Sequence, residues 1–283
     1  MLNTKKKPKN IGSYIVMALV VLVIVFPFYT LIMTSLMTEQ EANSANFRWW
    51  PQMGFSLQGY HDVLFKEMGG VNILSGFFNT LWIYIPGILV GLYVSGMAAF
   101  AFAKMRFKIK GFIFSILLST MMLPNSMSTI AQVILYDSLG WMNTPYPLMI
   151  PRMFGAIGSV FFMRQFYLTI PDDLINAAKV DGLGFFGIYN HIILKLSTNV
   201  MFAQFILSFM SAYNDYLGPL LFCQSSNMYT LQVALAFFAG PYAQNWPLRM
   251  AGVVVSMAPL LVFYICSQKY IRKSLALSAS IKG

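Results

Sequence analysis

Charged residues are scarce in this sequence: 10% of its 283 residues are Asp, Glu, Lys or Arg, whereas 58% are hydrophobic. A soluble domain contains about 25% charged and about 45–50% apolar residues. This shortage of charge excludes a soluble protein with a single core, because the chain carries more apolar material than such a core can bury. The composition instead indicates a polytopic membrane protein.

Residues that commonly perform catalysis are also few. The chain has 2 His, 2 Cys and 9 acidic residues, and the acids are scattered along it. His61 and His191 each stand alone in the sequence. In the topology given below, Cys223 and Cys266 fall near opposite faces of the bilayer, so we expect two unreactive thiols and no disulfide. We therefore expect no catalytic residue, no metal site and no cofactor in this chain.

A phosphate-binding loop is absent as well. No stretch matches GxxxxGK[ST], the pattern whose backbone amides and lysine hold the phosphates of ATP. If ATP drives a process in which this chain takes part, we expect ATP and Mg²⁺ to bind to a separate partner subunit.

The basic residues that are present are distributed unevenly. They number 19, against 9 acidic residues, and give a net charge of +10. All but four of them lie in residues 1–10, 104–110, 164–195 and 269–282. These segments alternate with the apolar runs, as cytoplasmic loops do, so the pattern predicts cytoplasmic termini and argues against nucleic acid as a partner. Arg152 and Arg249 belong to the remaining four, and we expect them to be anchors at the outer surface.

Six apolar runs reach the ~20 residues that a helix needs to cross a bilayer. The predicted spans are residues 11–37, 76–103, 111–136, 147–167, 201–222 and 247–267. The first run exceeds the apolar core of about 7–15 residues of a signal peptide, so we expect a helix and not a cleaved leader. The predicted fold class is all-α.

The domain organisation follows from these spans. Residues 1–10 form a basic cytoplasmic arm, and residues 11–283 form a six-span transmembrane domain. The longest external segment covers about residues 38–75, and a cytoplasmic loop covers about residues 168–197. We expect a multi-pass protein of the plasma membrane with both termini in the cytoplasm.

The cytoplasmic loop predicts a short helix at residues 171–182. Pro171 suits a first helical position, and Asp172 and Asp173 fall in the first turn, where carboxylates favour the positive end of the helix dipole. Gly182 supplies the left-handed conformation that ends such a helix. The helix is too short to cross a bilayer and is apolar on one face. It therefore needs a surface to bind, either a partner protein or the lipid headgroups.

The residues of this loop resemble the EAA loop in the membrane subunits of bacterial ABC importers, whose pattern is roughly IP-x-E-L-x-EAA-x-x-DG-A. The matching residues are Ile170, Pro171, Leu174, Ala177, Ala178, Asp181 and Gly182. Two departures matter: Asn176 replaces the usual glutamate, and Lys195 stands where a Leu-Pro pair usually follows. The resemblance implies a type I ABC importer permease fold in which residues 171–182 are the coupling helix. The residues it assigns to ATPase coupling are Asp172, Asp173, Leu174, Asn176, Ala177, Ala178, Asp181 and Gly182.

Other segments are similar to the carbohydrate branch of that family, which includes the smaller membrane subunit of the maltose importer. They are FSLQGY at 55–60, AAFAFAKMRF at 98–107, FMRQFYLTIP at 162–171, SAYNDYLGPLLF at 211–222 and the tail at 268–283. The resemblance implies a sugar or oligosaccharide substrate and the plasma (inner) membrane of a bacterium. It also implies a second homologous permease, two cytosolic ABC ATPase subunits that bind ATP and Mg²⁺, and an extracytoplasmic solute-binding protein.

An acid at membrane depth is costly and is therefore a functional candidate. Asp215 lies late in the fifth predicted span, with Asn214 beside it and Tyr213 and Tyr216 flanking the pair. One interpretation is a helix-terminal acid near the outer interface. The other is a substrate pathway, in which Tyr213, Asn214, Asp215 and Tyr216 present oxygens to sugar hydroxyls and aromatic faces to C–H surface.

Two further features each allow two interpretations. The external segment contains Phe47, Trp49, Trp50 and Phe55, which fit either an aromatic belt at the membrane interface or a surface that meets the solute-binding protein. Gly87 and Gly91 form a GxxxG pair, which suits helix dimerisation or packing within the chain.

Two other functional classes also need to be weighed. An ion-driven secondary transporter would need an inverted repeat and paired intramembrane acids, whereas the spans contain one such acid and no visible repeat. A membrane scaffold without a transport role would have no use for a coupling helix.

Overall fold

The computed structural model describes residues 11–44, 46–67, 70–240 and 244–280. Within these ranges the chain consists of helices and connecting turns and has no β-strand, so the all-α class is confirmed for the described residues. The predicted basic arm at residues 1–10 and Lys282 in the tail lie outside them.

Four helical segments are long and apolar enough to cross a membrane. They are α1 (Ile11–Ser35), α4 (Ile73–Lys104), the pair α7 (Tyr146–Met153) and α8 (Ile157–Leu168), and the first 23 residues of α15 (Trp246–Ser280). These segments correspond to the first, second, fourth and sixth predicted spans. Those four predictions are confirmed as helices.

The third predicted span is broken near Pro124. The structure divides it into α5 (Lys110–Thr120), a 3₁₀ turn at Asn125–Ser128, and α6 (Thr129–Ser138). Pro124 lies directly before the turn, and its ring and missing N–H kink or break a helix. Helix α5 has 11 residues, or about 16 Å, which is shorter than the ~30 Å hydrocarbon core.

The fifth predicted span has different ends in the structure. Helix α12 (Thr198–Tyr213) stops before Asp215, and α13 (Leu217–Phe222) starts a new helix. Pro219 explains the new start, since proline is tolerated in the first turn of a helix but would break a helix running through from Tyr213.

A second break precedes α12. The segment Phe185–Leu196 contains α10 (Phe185–Ile188), a π turn at Tyr189–Ile193 and α11 (Leu194–Leu196), and it meets α12 at an angle of 78°. If this bent pair is counted as one span, the described residues contain five candidate spans. The six-span count therefore stays a prediction.

Helix α4 lies at the centre of the bundle and packs against α7, α8, α12 and α14 (Leu231–Ala239). Its glycines allow this close approach. A Cβ atom at Gly87 would lie 2.9 Å from the carbonyl oxygen of Met149, and one at Gly91 would clash with the carbonyl oxygen of Arg152. The GxxxG pair therefore serves packing within the chain, against α7.

The remaining helices are short and lie between the long ones. They are α2 (Glu39–Ala42), α3 (Gln58–Phe65) and α9 (Asp172–Val180). Helices α2 and α3 belong to the segment between α1 and α4, where both pack against α15. Helix α9 belongs to the loop between α8 and α10.

Candidate functional site

Helix α9 forms within the predicted segment, but it starts one residue later than expected, because Pro171 is its N-cap with an extended ψ of 137°. It begins at Asp172, directly after Pro171, and has Asp172 and Asp173 in its first turn. At its end Gly182 has a φ of +81°. The amide of Gly182 donates to the carbonyl of Lys179, and the amide of Leu183 donates to that of Ala178, both at 3.0 Å. These two bonds make a Schellman cap, the ending that glycine favours.

One face of α9 packs against the rest of the chain and the other is exposed. Ile175 and Ala178 are buried. The other residues assigned to coupling are exposed: Asp172, Asp173, Leu174, Asn176, Ala177, Asp181 and Gly182. The expectation that Ala178 contacts a partner is wrong for this structure, because only 3% of Ala178 is exposed. Its small side chain instead lets the helix approach its own bundle.

This loop also exposes apolar residues, of which the sequence analysis singled out only Leu174. Val180 is 88% exposed and Phe186 is 66% exposed, and Leu174 and Phe185 are each 45% exposed. Because α9 is followed at once by α10, these side chains belong to one short stretch of chain. We call Leu174, Val180, Phe185 and Phe186 the α9 apolar patch.

Lys104 joins α9 to the central helix α4. Its Nζ atom donates to the carbonyl oxygen of Ile170 and to Oδ1 of Asp172, both at 2.6 Å. The Lys104 side chain is only 8% exposed, whereas that of Asp172 is 73% exposed. The hydrogen bond from Lys104 and its positive charge hold the pKa of the Asp172 carboxyl below its usual value. Sequence analysis missed Lys104, although it lies in AAFAFAKMRF.

Asp215 lies at the break between α12 and α13 and connects three elements. Its Oδ2 atom accepts hydrogen bonds from Arg152 of α7 at 2.9 Å and from Tyr84 of α4 at 3.1 Å. Its Oδ1 atom accepts one from the amide of Gly218 at 3.3 Å. The guanidinium of Arg152 also lies over the Tyr84 ring, 4.7 Å from its centroid.

Arg152 is therefore not the outer-surface anchor that we expected. An isolated charge among apolar helices is unfavourable, and a counter-charge with hydrogen bonds reduces that cost. Asp215 supplies this counter-charge, and both side chains are partly buried. The signal in the sequence was a second ionisable residue, Arg152, at the start of a predicted span.

A cavity of about 360 Å³ lies beside the ion pair. Its polar lining comes from α6, α7 and the break after α12, and consists of Thr129, Gln132, Tyr136, Arg152 and Asp215. The rest of the lining is apolar and includes Leu148 and Phe222. A second cavity of about 250 Å³ is also lined by Arg152, together with Ser95, Ser159 and Ser208. Sites for small molecules are of this size and combine apolar walls with a few polar groups.

The other three candidate pathway residues do not line either cavity. Tyr213 is buried, and its hydroxyl donates to the carbonyl of Ser256 in α15 at 2.7 Å. The side-chain amide of Asn214 donates to the carbonyl of Met210, one turn earlier, at 2.8 Å. Tyr216 is 43% exposed. Of the four residues, Asp215 alone lines one of these two cavities, and the assignment of all four to a substrate pathway stays a prediction.

Groups that could hold a metal are not brought together among the described residues, which contain no cluster of three His, Cys, Asp or Glu side chains. Cys223 is buried, Cys266 is exposed, and both are free thiols. The polar groups at the helix break can form hydrogen bonds to a solute.

Comparison with known proteins identifies the family. The model of the family "Binding-protein-dependent transport system inner membrane component" matches residues 87–277. The chain belongs to this family. The match includes α9, Arg152 and Asp215, and the resemblance to permease subunits of ABC importers is thereby confirmed.

Individual relatives cover nearly the whole permease. It is 30% identical to the arabinooligosaccharides transport system permease protein AraQ of Halalkalibacterium halodurans, over 99% of this chain and 100% of that protein. It is 28% identical to the sn-glycerol-3-phosphate transport system permease protein UgpE of Brucella abortus, over 94% of this chain and 95% of that protein. These relatives are transport subunits.

A solved structure shows the same fold. The permease superimposes with a TM-score of 0.82 on a chain from the crystal structure of a bacterial ABC transporter involved in the import of the acidic polysaccharide alginate. The two chains are 18% identical, and the match covers 94% of this chain and 99% of the other. At this identity the likeness shows the fold alone.

Proposed function

We propose that this permease forms half of the pathway for a sugar or oligosaccharide in an ATP-driven importer and that α9 couples it to the ATPase. The observation that carries the proposal is the exposed α9 apolar patch on a helix that matches the EAA loop. Its partners would be a second homologous permease, two cytosolic ATPase subunits that bind ATP and Mg²⁺, and an extracytoplasmic solute-binding protein.

The surface of α9 supports docking to a protein. Leu174, Val180 and Phe186 are all exposed, and Asp173 and Asp181, from the same helix and its cap, are exposed as well. Burying a Val, Leu or Phe side chain contributes about 1.5–3 kcal/mol. A groove that covers these side chains would therefore hold the helix firmly, and the acids would set its orientation.

The contacts of Lys104 support transmission of movement from α9 into the membrane. Lys104 is the last residue of α4, and it donates hydrogen bonds to Ile170 and Asp172 at the start of α9. Helix α4 in turn packs against most of the bundle. A displacement of α9 would therefore pull on the central helix. In this mechanism, ATP-driven movement of the ATPase subunits tilts the spans. The cavity beside Asp215 is thereby exposed alternately to the two sides of the membrane.

The cavity beside Asp215 supports a pathway for a hydroxyl-rich solute. Gln132, Arg152 and Asp215 present both donors and acceptors in a wall that is otherwise largely apolar. The names of the relatives add support, because arabinooligosaccharides and sn-glycerol-3-phosphate both carry hydroxyl groups.

Affinity purification tests the proposal. The tagged permease is expressed in its host, extracted in a mild detergent, and its partners are identified by mass spectrometry. We expect a P-loop ATPase and a second permease in stoichiometric amounts. A single chain or a homodimer in several detergents would refute the importer assignment and favour a secondary transporter.

A matched pair of variants tests the docking surface. Val180→Asp places a charge in the α9 apolar patch, and we expect the amount of co-purified ATPase to fall about tenfold, since about 1.5 kcal/mol or more of apolar burial is lost. Phe65→Asp is the control, because Phe65 is 71% exposed on α3, far from this loop in the sequence. Equal recovery of ATPase with both variants would refute docking through α9.

A further inference from the structure

An aromatic loop after α1 takes no part in the proposed mechanism. Between α2 and α3, four aromatic side chains are more than half exposed: Phe47, Trp49, Trp50 and Phe55. We call residues 46–55 the aromatic loop. In water such an apolar surface is unfavourable, so it requires an explanation.

A buried carboxylate builds the loop. The Glu41 side chain is completely buried and accepts hydrogen bonds from the amides of Gln52 at 2.6 Å and Met53 at 3.3 Å. Arg48 lies 3.8 Å from the same carboxylate. The Arg48 side chain before the tryptophans and the backbone amides of Gln52 and Met53 after them thus point inward to Glu41, and Trp49 and Trp50 remain more than half exposed.

The loop is continuous with the most lipophilic surface of the chain. Phe26 of α1 lies 6.2 Å from the Trp49 ring and 6.5 Å from the Phe47 ring. The hydroxyl of Tyr29 donates to the carbonyl of Trp49 at 2.6 Å. Helix α1 has a mean hydropathy of 2.9, and none of its most apolar window is buried inside the chain. A helix of this length and composition that its own chain leaves uncovered is expected to face lipid, and the loop extends that surface.

We propose that the aromatic loop is an anchor that binds the lipid interface beside the C-terminal end of α1. Tryptophan favours this depth because its ring is apolar and its N–H reaches the headgroups. The buried Glu41 carboxylate supports a position at the lipid interface. It accepts the hydrogen bonds of the Gln52 and Met53 amides, which would otherwise need water as a partner. The loop thus sets the depth of α1 in the membrane and leaves the proposed transport pathway to other parts of the bundle.

Fluorescence quenching in nanodiscs tests the proposal without any partner or substrate. The full-length chain carries five tryptophans, and variants that retain Trp49, Trp50 or Trp82 alone are made by Trp→Phe replacement. The nanodiscs contain phosphatidylcholine brominated near the headgroup or near the end of the acyl chain. We expect headgroup-proximal bromines to quench Trp49 and Trp50 at least about twofold more than deep bromines, as the interfacial preference of tryptophan requires. Trp82, exposed on α4, provides the reference for a ring within a span.

Quenching by aqueous iodide detects the outcome that would contradict the proposal, namely exposure of Trp49 and Trp50 to water. If iodide quenches Trp49 and Trp50 fully while neither brominated lipid does, the loop projects into water and the lipid anchor is refuted. Such a result would make the loop a docking surface for a soluble protein.

The role of Glu41 is tested in the single-Trp50 chain. Glu41→Ala removes the acceptor for the amides of Gln52 and Met53, and we expect at least about a twofold loss of quenching by shallow bromines as Trp50 leaves its interfacial site. Glu39→Ala, which removes the exposed partner of Asn245, is the control and should leave the quenching unchanged. Identical quenching in both variants would refute the part assigned to Glu41.

Discussion

Replacement of Lys104 by methionine is the sharpest test of how α9 is attached to the bundle. Methionine has a similar length and no charge, so it keeps the apolar stem and removes the two bonds at 2.6 Å. A hydrogen bond from a charged donor contributes about 1.5–3 kcal/mol. The bond to the buried carbonyl of Ile170 carries this value, whereas water screens the bond to the exposed Asp172.

The junction between Ile170 and α9 should therefore open about tenfold more often in Lys104→Met, since a change of about 1.4 kcal/mol is a tenfold change in equilibrium. Hydrogen–deuterium exchange in nanodiscs measures this opening, because the amides of the first turns of α9 should exchange about tenfold faster. Exchange within α4 should remain unchanged, because the substitution leaves the backbone hydrogen bonds of α4 intact.

Two control variants complete this experiment. Lys104→Arg retains a charged donor and should keep much of the protection, whereas Lys108→Met removes an exposed lysine from the same loop and should change nothing. If Lys104→Met protects α9 as well as the parent chain does, the attachment of α9 does not depend on Lys104, and its part in transmitting movement is refuted.

Three other predictions concern the same sites. Gly182→Asp should lower uptake while the chain still inserts, because a residue with a Cβ is strained at the left-handed φ of +81° and its carboxylate adds a charge beside the proposed docking surface; Gly182→Asn, which has a similar shape and no charge, should retain more uptake, and equal uptake by both variants and the parent would contradict the argument. Arg152→Met and Asp215→Leu should each lower the unfolding free energy by about 1–3 kcal/mol, because each leaves the other residue of the pair without its partner. The double variant should lose less stability than the sum of the two single losses, and strictly additive shifts in melting temperature would contradict the pairing. Because the folded pKa of Asp172 is lowered, its contribution is present above its ordinary pKa near 4 and is lost as the pH falls through the folded value; the protection of the α9 amides, taken relative to the intrinsic exchange rate at each pH, should then fall below about pH 4 in the parent chain and stay level in Asp172→Asn.

The two halves of the candidate machinery differ in how far the sequence predicted them. Helix α9 was predicted with its first-turn acids and its glycine cap, and with a start one residue too early. These features are local, since caps and turns depend on residues within a few positions. The α9 apolar patch was missed, since Val180, Phe185 and Phe186 are ordinary apolar residues until their packing leaves them uncovered.

The contacts of Asp215, in contrast, could not be predicted from neighbouring residues in the sequence. Asp215 was recognised as costly at membrane depth, but its partner was not, because Arg152 and Asp215 are 63 residues apart in sequence. Tyr213 was placed in the pathway by proximity to Asp215, and the break after α12 turns it toward Ser256 instead. Sequence neighbours point in different directions around a helix, so adjacency cannot assign them to one cavity.

By itself, the sequence determined the all-helical class, the positions of four spans, the short helix with its Schellman cap and the family. Each depends on composition, on runs of apolar residues or on a few adjacent positions. Only the tertiary structure decided that Lys104 holds α9, that Arg152 neutralises Asp215, that Ala178 faces inward and that Glu41 supports the aromatic loop. Each of these contacts joins residues from different elements or separate turns, and its geometry exists only after the helices have packed.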